Sequence, residues 1–188
     1  MAFWQAPITD LRDQASLVRR YRYGMIQVSQ GELVAVRPRL FPKLASPETI
    51  WWGIWTHRHR SGDSCWLYYN QPRGFGNFLA LKFVFSTARC SFASFRRAIF
   101  LLDEIAAIKG SDALLCDASN LRISDRLLHR WGWQQHTSSR RRRNFIKRFY
   151  GDYSTAQEKT AQVNTVQVNT VQVNADEMKS NLAFHNLD

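Results

Sequence analysis

The turn between an apolar strand and a long helix is the part of this sequence best suited to bind an anion. Residues 84–91 (VFSTARCS) end a strongly apolar run and lead directly into a helical pattern. The first turn of a helix leaves backbone N–H groups without intrahelical partners, and the helix dipole places partial positive charge there. Arg89 stands beside this turn, and Ser91 and Ser94 carry hydroxyls that can donate. The pattern therefore predicts a seat for a phosphate group at the start of the helix.

The same turn resembles the cofactor loop of the GNAT-type N-acetyltransferase superfamily. In that superfamily the loop reads Arg or Gln, two residues, Gly, one residue, then Gly or Ala, at the start of the main helix. The equivalent run here is Arg89–Ser94 (RCSFAS), in which Phe92 and Ser94 occupy the small-residue positions.

A second stretch, from Leu121 to Trp133, resembles a later helix of the same superfamily, which often closes with Gly followed by an aromatic residue. Asn120 is one residue displaced from the superfamily's usual Asn, and Leu128 occupies the position where a Tyr commonly protonates the departing thiolate. The resemblance covers roughly residues 25–150 and includes the order of the elements.

The resemblance implies a fold, a cofactor and a reaction. The fold is α+β, with a mixed, mostly antiparallel central sheet flanked by helices, as in the acyl-CoA N-acyltransferases. The reaction is transfer of an acetyl group from acetyl-CoA to an unidentified amine. The residues expected to bind the cofactor are Arg89, Cys90, Ser91, Ser94 and Asn120. A member that has lost the cofactor and kept the scaffold is an alternative.

Acetyl transfer requires a group that removes a proton from the attacking amine, and N–H groups that stabilise the oxyanion. The central strand would provide the N–H groups. Glu48, Asp117 and His129 are the candidate catalytic bases, and the sequence does not rank them. Each of these residues is also common as a structural or surface group.

A second function is suggested by basic residues that alternate with aromatic residues near residue 145. Cationic groups that follow phosphates, interleaved with rings that stack on bases, are typical of single-strand nucleic-acid binding. The alternative is a solvated loop that leads into a strand whose aromatic side chains belong to the core. The candidate nucleic-acid-binding residues are Arg140, Arg141, Arg142, Arg143, Lys147 and Arg148.

The charge distribution agrees with an anionic partner. The 188-residue chain has a net charge of +11, and residues 1–151 alone carry 24 Lys+Arg against 10 Asp+Glu. Of these 24 cations, 20 are Arg, whose planar fork suits phosphate, although a bias in codon usage would produce the same excess. Three separated cysteines, with no zinc-ligand spacing, predict neither a metal site nor disulfides. With no signal-peptide pattern and no membrane-length apolar run, we expect a cytoplasmic protein that does not enter a membrane.

The periodicity of apolar residues predicts the elements that position these groups. Residues 11–24 read as a short helix capped by Thr9 and stopped by Gly24, and residues 25–37 as a hairpin turning at Ser29-Gln30-Gly31. Pro38, Pro42 and Pro47 indicate a loop. Residues 49–57 and 64–70 read as a second hairpin. The remaining elements are a central strand at 78–86, a helix at 91–109 between Ser91 and Gly110, a strand at 113–118, a helix at 123–130 and a strand at 144–150.

The sequence divides into a domain of residues 1–151 and a polar tail of residues 152–188. The tail carries TAQVN, TVQVN and TVQVN over residues 160–174. The gaps between its valines alternate between three and two, which fits neither a helix nor a strand. We therefore expect a disordered tail, with an added strand or a self-pairing segment as the alternative.

Overall fold

The computed structural model describes residues 6–42, 55, 59–118, 123–139 and 142–153. Several sequence predictions fall outside these residues: those for Glu48, Asn120, Arg140, Arg141, Pro47, most of residues 49–57, and the repeat segment 160–174.

The chain forms helices and strands in the following order. The helices are α1 (Ala15–Arg20), α2 (Phe92–Lys109) and α3 (Asp125–Arg130). The strands are β1 (Tyr23–Ser29), β2 (Glu32–Arg39), β3 (Ser64–Asn70), β4 (Phe78–Ser86), β5 (Ala113–Asp117), β6 (Gln134–Ser139) and β7 (Arg142–Arg148).

The described strands form one mixed sheet in the order β2-β1-β3-β4-β5-β7-β6. Every neighbouring pair is antiparallel except β4 and β5, which are parallel and are connected through α2. A parallel pair needs a crossover connection, and the helical pattern between the two strands provides it. The α+β class, the mixed sheet and the central position of β4 are confirmed.

Helix α2 covers the sheet and supplies much of the core. Leu101, Leu102 and Ile105 are completely buried, as the 3.6-residue period predicts. The side chain of Ser91 caps the helix by accepting a hydrogen bond from Ser94 N, and Gly110 ends it with φ of 64°. Both predicted caps are confirmed. Of the helices that the structure describes, none combines the length and apolarity needed to cross a membrane.

The predicted start and end of the first helix are wrong. The helix begins only at Ala15, and its N-cap residue Gln14 makes no side-chain cap; Asp10, rather than Thr9, accepts hydrogen bonds in the preceding turn, at 2.7 Å from Arg12 N and 3.0 Å from Asp13 N. The helix ends at Arg20, and Gly24 lies within β1 opposite Tyr69. A Cβ atom at Gly24 would come within 2.5 Å of the Tyr69 hydroxyl. Gly24 is therefore required by the close approach of a buried ring.

Two predictions around the hairpins also need correction. The first hairpin is confirmed, with Gln30 and Gly31 at φ of 53° and 79° in its turn. However, Pro38 lies inside β2, at an edge of the described sheet, where a missing N–H costs little. The predicted hairpin between residues 49–57 and 64–70 is wrong, because β3 already pairs with β1 on one side and β4 on the other.

For the elements after residue 120, the predicted order is correct but lacks one strand. Ser124 caps α3, which begins two residues later than predicted. Strand β7 lies at Arg142–Arg148 rather than at residues 144–150. The sequence analysis missed β6, a polar strand (QQHTSS) that pairs with β7 at the other edge of the described sheet.

Candidate functional site

Strands β4 and β5 are paired along only half of β4. Their register runs from Phe78↔Ala113 to Leu81↔Cys116, whereas β4 continues to Ser86. At the point of separation Lys82 forms a bulge, because Tyr68 and Tyr69 of β3 face Phe83 and Leu81 respectively. Bulges terminate pairing and redirect the strand, and they are common beside active sites. Among the described strands, β5 pairs with this side of β4 only as far as Leu81.

A cleft of about 500 Å³ opens between the separated strands and the start of α2. Its wall is mainly apolar, and its polar members are Lys82, Ser86, Ser91 and Asp117. The apolar side chains and thiols that line it are Leu81, Phe83, Val84, Cys90, Phe92, Phe95, Ile99, Cys116, Ala118, Ile123, Leu128 and Trp133. A concave, mostly apolar wall with a few polar groups is typical of a small-molecule site.

Trp133, one of the residues that line this cleft, carries an unsatisfied buried donor. The residue is 1% exposed, and its indole Nε1 is buried with no hydrogen-bond acceptor in the described part of the chain. Indole N–H groups in protein interiors usually find an acceptor, since leaving one unpaired costs about 1–3 kcal/mol.

The anion seat at the start of α2 is partly occupied by a side chain of the protein itself. The Asp63 carboxylate accepts hydrogen bonds from Ser91 N at 2.8 Å and from Ser91 Oγ at 2.6 Å. Burial alone would raise the pKa of Asp63, but these hydrogen bonds outweigh it and hold the pKa below its usual value. Asp63 is therefore ionised at neutral pH. Its negative charge compensates part of the positive potential at the start of α2, where the sequence predicts a phosphate.

Two backbone amides of the helix start remain for a ligand. The first intrahelical bond is made by Phe95 N to Ser91 O, so the amides of Phe92 and Ala93 precede the hydrogen-bonded ladder. The Phe92 side chain does not fill the cleft. It is 55% exposed and stacks on Trp131 with ring centroids 5.7 Å apart. Phe92 thus forms part of the rim.

The residues predicted to bind the cofactor fall into three groups. Cys90 and Ser91 line the cleft, and Arg89 is exposed on the turn before α2. Ser94 is completely buried, and its hydroxyl accepts a hydrogen bond from Gly31 N at 2.8 Å, so it braces the first hairpin and does not face a ligand. Asn120 lies outside the described residues.

The candidate bases are also separated by the structure. Asp117, at the end of β5, lines the cleft. His129 is exposed on α3, where its ring centroid lies 6.4 Å from that of Phe145 in an edge-to-face arrangement, and it is not among the residues that line the cleft. Glu48 lies outside the described residues. Of the two candidate bases that the structure describes, Asp117 is the one that lines the cleft.

The three cysteines lie in different surroundings, which shift the pKa values of their thiols in different directions. The sequence alone does not show this difference. A hydrogen bond from the Cys65 thiol lowers the pKa of Cys90 and outweighs burial and the nearby Asp63 carboxylate. The same contact, together with burial, raises the pKa of Cys65. Burial raises the pKa of Cys116 to about 12. The thiolate is the nucleophile, so Cys90 should be the reactive cysteine.

We expect iodoacetamide at neutral pH to alkylate Cys90 first and to reach Cys65 and Cys116 only when the protein unfolds. The lowered pKa places the rise in Cys90 labelling below the pH at which a free thiol ionises, whereas the other two thiols stay protonated. Peptide mass mapping after timed labelling measures this order, with Cys90→Ser as the control. Alkylation of Cys116 in the native protein as fast as Cys90 would contradict the assignment.

The basic segment near residue 145 is engaged in contacts within the protein. Arg143 forms an ion pair with Asp125 and donates to Ile123 O at 2.8 Å, and Lys147 pairs with Asp103 at 2.7 Å. Arg148 donates to Gln134 at 3.2 Å. Of the three rings expected to stack on bases, Phe145 and Phe149 are 1% and 5% exposed and belong to the core, whereas Tyr150 is 85% exposed. These contacts occupy Arg143, Lys147, Arg148 and two of the three rings within the protein, and nucleic-acid binding by this segment stays a prediction.

The described residues contain no cluster of three or more His, Cys, Asp or Glu side chains placed to hold a metal ion. Comparisons of the chain with protein-family models, with curated proteins and with solved structures find no match. The geometry of the cleft is therefore the basis for assigning a function.

Proposed function

We propose that the cleft binds an acyl-CoA thioester and that the chain is an N-acyltransferase with a GNAT-type fold. The observation that carries this proposal is the parallel pair β4 and β5, which separates after Leu81 and Cys116 around an apolar cleft at the start of α2. The crevice beyond the carboxyl ends of parallel strands is a common place for ligands in α/β sheets. The strand order and the local similarity of residues 89–94 support the same proposal.

The shape of the site suits the pantetheine arm of such a cofactor. That arm is narrow, mostly apolar and carries two amide groups. Peptide groups of β4 beside the end of its pairing with β5 can hydrogen-bond to these amides, as an exposed strand does to an added peptide. The apolar wall accommodates the acyl group and the methylene carbons.

The reaction follows from the groups at the cleft. The amine nitrogen attacks the thioester carbonyl, and the oxyanion is stabilised by backbone N–H groups near the Lys82 bulge. Asp117, at the mouth of the cleft, accepts the proton that the amine loses. Collapse of the tetrahedral intermediate forms the amide and expels the CoA thiolate. Leu128 lines the cleft and cannot donate a proton, so the proton that Asp117 took from the amine passes to water in the open cleft and from water to the thiolate, which restores the Asp117 carboxylate.

The nucleotide end of the cofactor is held more weakly than its arm. Its diphosphate would meet the ionised Asp63, which already accepts from Ser91. The amides of Phe92 and Ala93 and the exposed Arg89 offset this repulsion. We therefore assign Arg89 the role of neutralising the diphosphate.

Isothermal titration of the full chain with acetyl-CoA tests the proposal. We expect saturable binding that weakens about tenfold in Arg89→Glu, equivalent to about 1.4 kcal/mol. The matched control is Arg130→Glu, which reverses an exposed charge on α3 outside the cleft and should bind as the parent does. Absence of binding at millimolar acetyl-CoA, or equal loss in the two variants, would reject the proposal.

A further inference from the structure

A second concave surface lies at the other end of α2. Its lining residues are Arg20, Tyr21, Arg22, Tyr23, Arg39, Leu40 and Arg73, and its volume is about 750 Å³. We call this surface the arginine groove. Lys109, the last residue of α2, donates to Tyr21 O at 2.7 Å and so fixes the groove to that end of the helix. The cleft lies at the first turn of the same 18-residue helix, about 27 Å away along its axis.

The arginine groove gathers four guanidinium groups without a carboxylate in its wall. None of the four arginines takes part in an ion pair with an acidic residue of the described ranges. Arg39 Nη1 is buried and has no hydrogen-bond acceptor among the described residues. Burial, followed by the positive charge of Arg22, lowers the pKa of nearby Lys109 to about 8. Positive charge is thus concentrated here and lacks a counter-charge from the described chain.

The groove is built on fixed backbone. Tyr23 and Arg39 are directly opposite each other in the β1–β2 pair, and Tyr23 is also opposite Asn70 at the end of β3. Arg20 ends α1, and Arg73 lies in the turn that follows β3. The planar fork of arginine loses little conformational freedom per hydrogen bond formed, and it matches the oxygens of phosphate.

We propose that the arginine groove binds the phosphodiester backbone of single-stranded nucleic acid. Four separate forks spread over an open surface can neutralise several phosphates in succession, whereas a single small phosphate would use only one or two of them. The ring of Tyr21 is partly exposed beside Arg20, whose guanidinium lies 5.9 Å from the ring centroid, and it offers a base a face to stack on. This site uses none of the residues at 140–148.

The test compares two sets of three exposed arginines in the full chain. The groove variant is Arg20→Gln, Arg22→Gln and Arg73→Gln. The control variant is Arg12→Gln, Arg126→Gln and Arg130→Gln, which removes the same charge from exposed positions outside the groove. Fluorescence anisotropy with a labelled 20-nucleotide oligo(dU) and oligo(U), at several salt concentrations, measures binding. Circular dichroism melting checks that both variants are folded.

We expect the groove variant to bind at least about tenfold more weakly and to reduce the slope of log K against log salt by about 2, since each single-strand phosphate contact contributes about 0.7. The control variant should stay within about twofold of the parent, the range expected for a long-range charge effect. Equal losses in the two variants would show only general charge attraction and would overturn the proposal. The proposal would also be overturned if the parent does not bind oligonucleotides but binds inorganic triphosphate or anionic vesicles.

Discussion

Replacing Ala118 by Trp is expected to abolish binding of acyl-CoA without unfolding the protein. Ala118 follows β5 and lines the cleft, where an indole would occupy the space assigned to the pantetheine arm. The backbone bond from Ala118 N to Arg143 O, at 2.9 Å, does not depend on the side chain. Titration calorimetry should show affinity reduced by at least about a hundredfold, or about 2.7 kcal/mol.

The control for this variant is Gln135→Trp, which introduces the same side chain at an exposed position on β6. It should bind acetyl-CoA as the parent does. If Ala118→Trp is folded, as judged by its melting curve, and still binds within about threefold of the parent, an effect below 1 kcal/mol, the cofactor does not occupy this cleft.

The second large effect is expected from Lys147→Ala, which should lower the free energy of unfolding by about 3–5 kcal/mol. Lys147 Nζ lies 2.7 Å from Asp103 Oδ2, and the two side chains are only 13% and 10% exposed. Removing the ammonium leaves a carboxylate on α2 without its charged partner in poorly hydrated surroundings. Urea denaturation, with the slope compared between variants, measures the loss.

The double variant Asp103→Ala/Lys147→Ala separates loss of the pair from loss of packing. It should be less destabilised than the sum of the two single variants, because neither charge is left alone. A loss below about 1 kcal/mol in Lys147→Ala, the value typical of an exposed pair, would mean that Lys147 is free to meet an external phosphate. That result would restore the basic segment as a candidate nucleic-acid surface.

The elements that were predictable from the sequence are those whose stability is local. Helix α2 has a continuous apolar face, an N-cap at Ser91 and a C-cap at Gly110, so its limits follow from neighbouring residues. Strand β4 is apolar on both faces because it is central. Strand β6 was not predicted because its sequence is polar throughout. An edge strand with one neighbour does not need an alternating apolar pattern. Gly24 was misinterpreted because the ring that requires it, Tyr69, is 45 residues away in sequence.

The candidate site depends on contacts that no local pattern contains. The helix start was predictable as an anion seat, but Asp63, which occupies it, lies 28 residues before Ser91. The Cys65–Cys90 contact and the buried Trp133 Nε1 likewise depend on how the strands are stacked. The bulge at Lys82 follows from the register with β3 and has no signal of its own. Arg89 and Asp117, by contrast, were accessible from sequence because each lies at the end of an element.

The rate of Cys90 alkylation with and without acetyl-CoA tests the central claim most directly, because Cys90 lines the cleft and its thiol is the activated one. Saturating acetyl-CoA should slow Cys90 labelling at least about tenfold in the parent and leave it unchanged in Ala118→Trp, as expected of a reagent that needs access to the thiolate. An unchanged rate in the parent at millimolar acetyl-CoA would place the ligand elsewhere and contradict the assignment of the cleft.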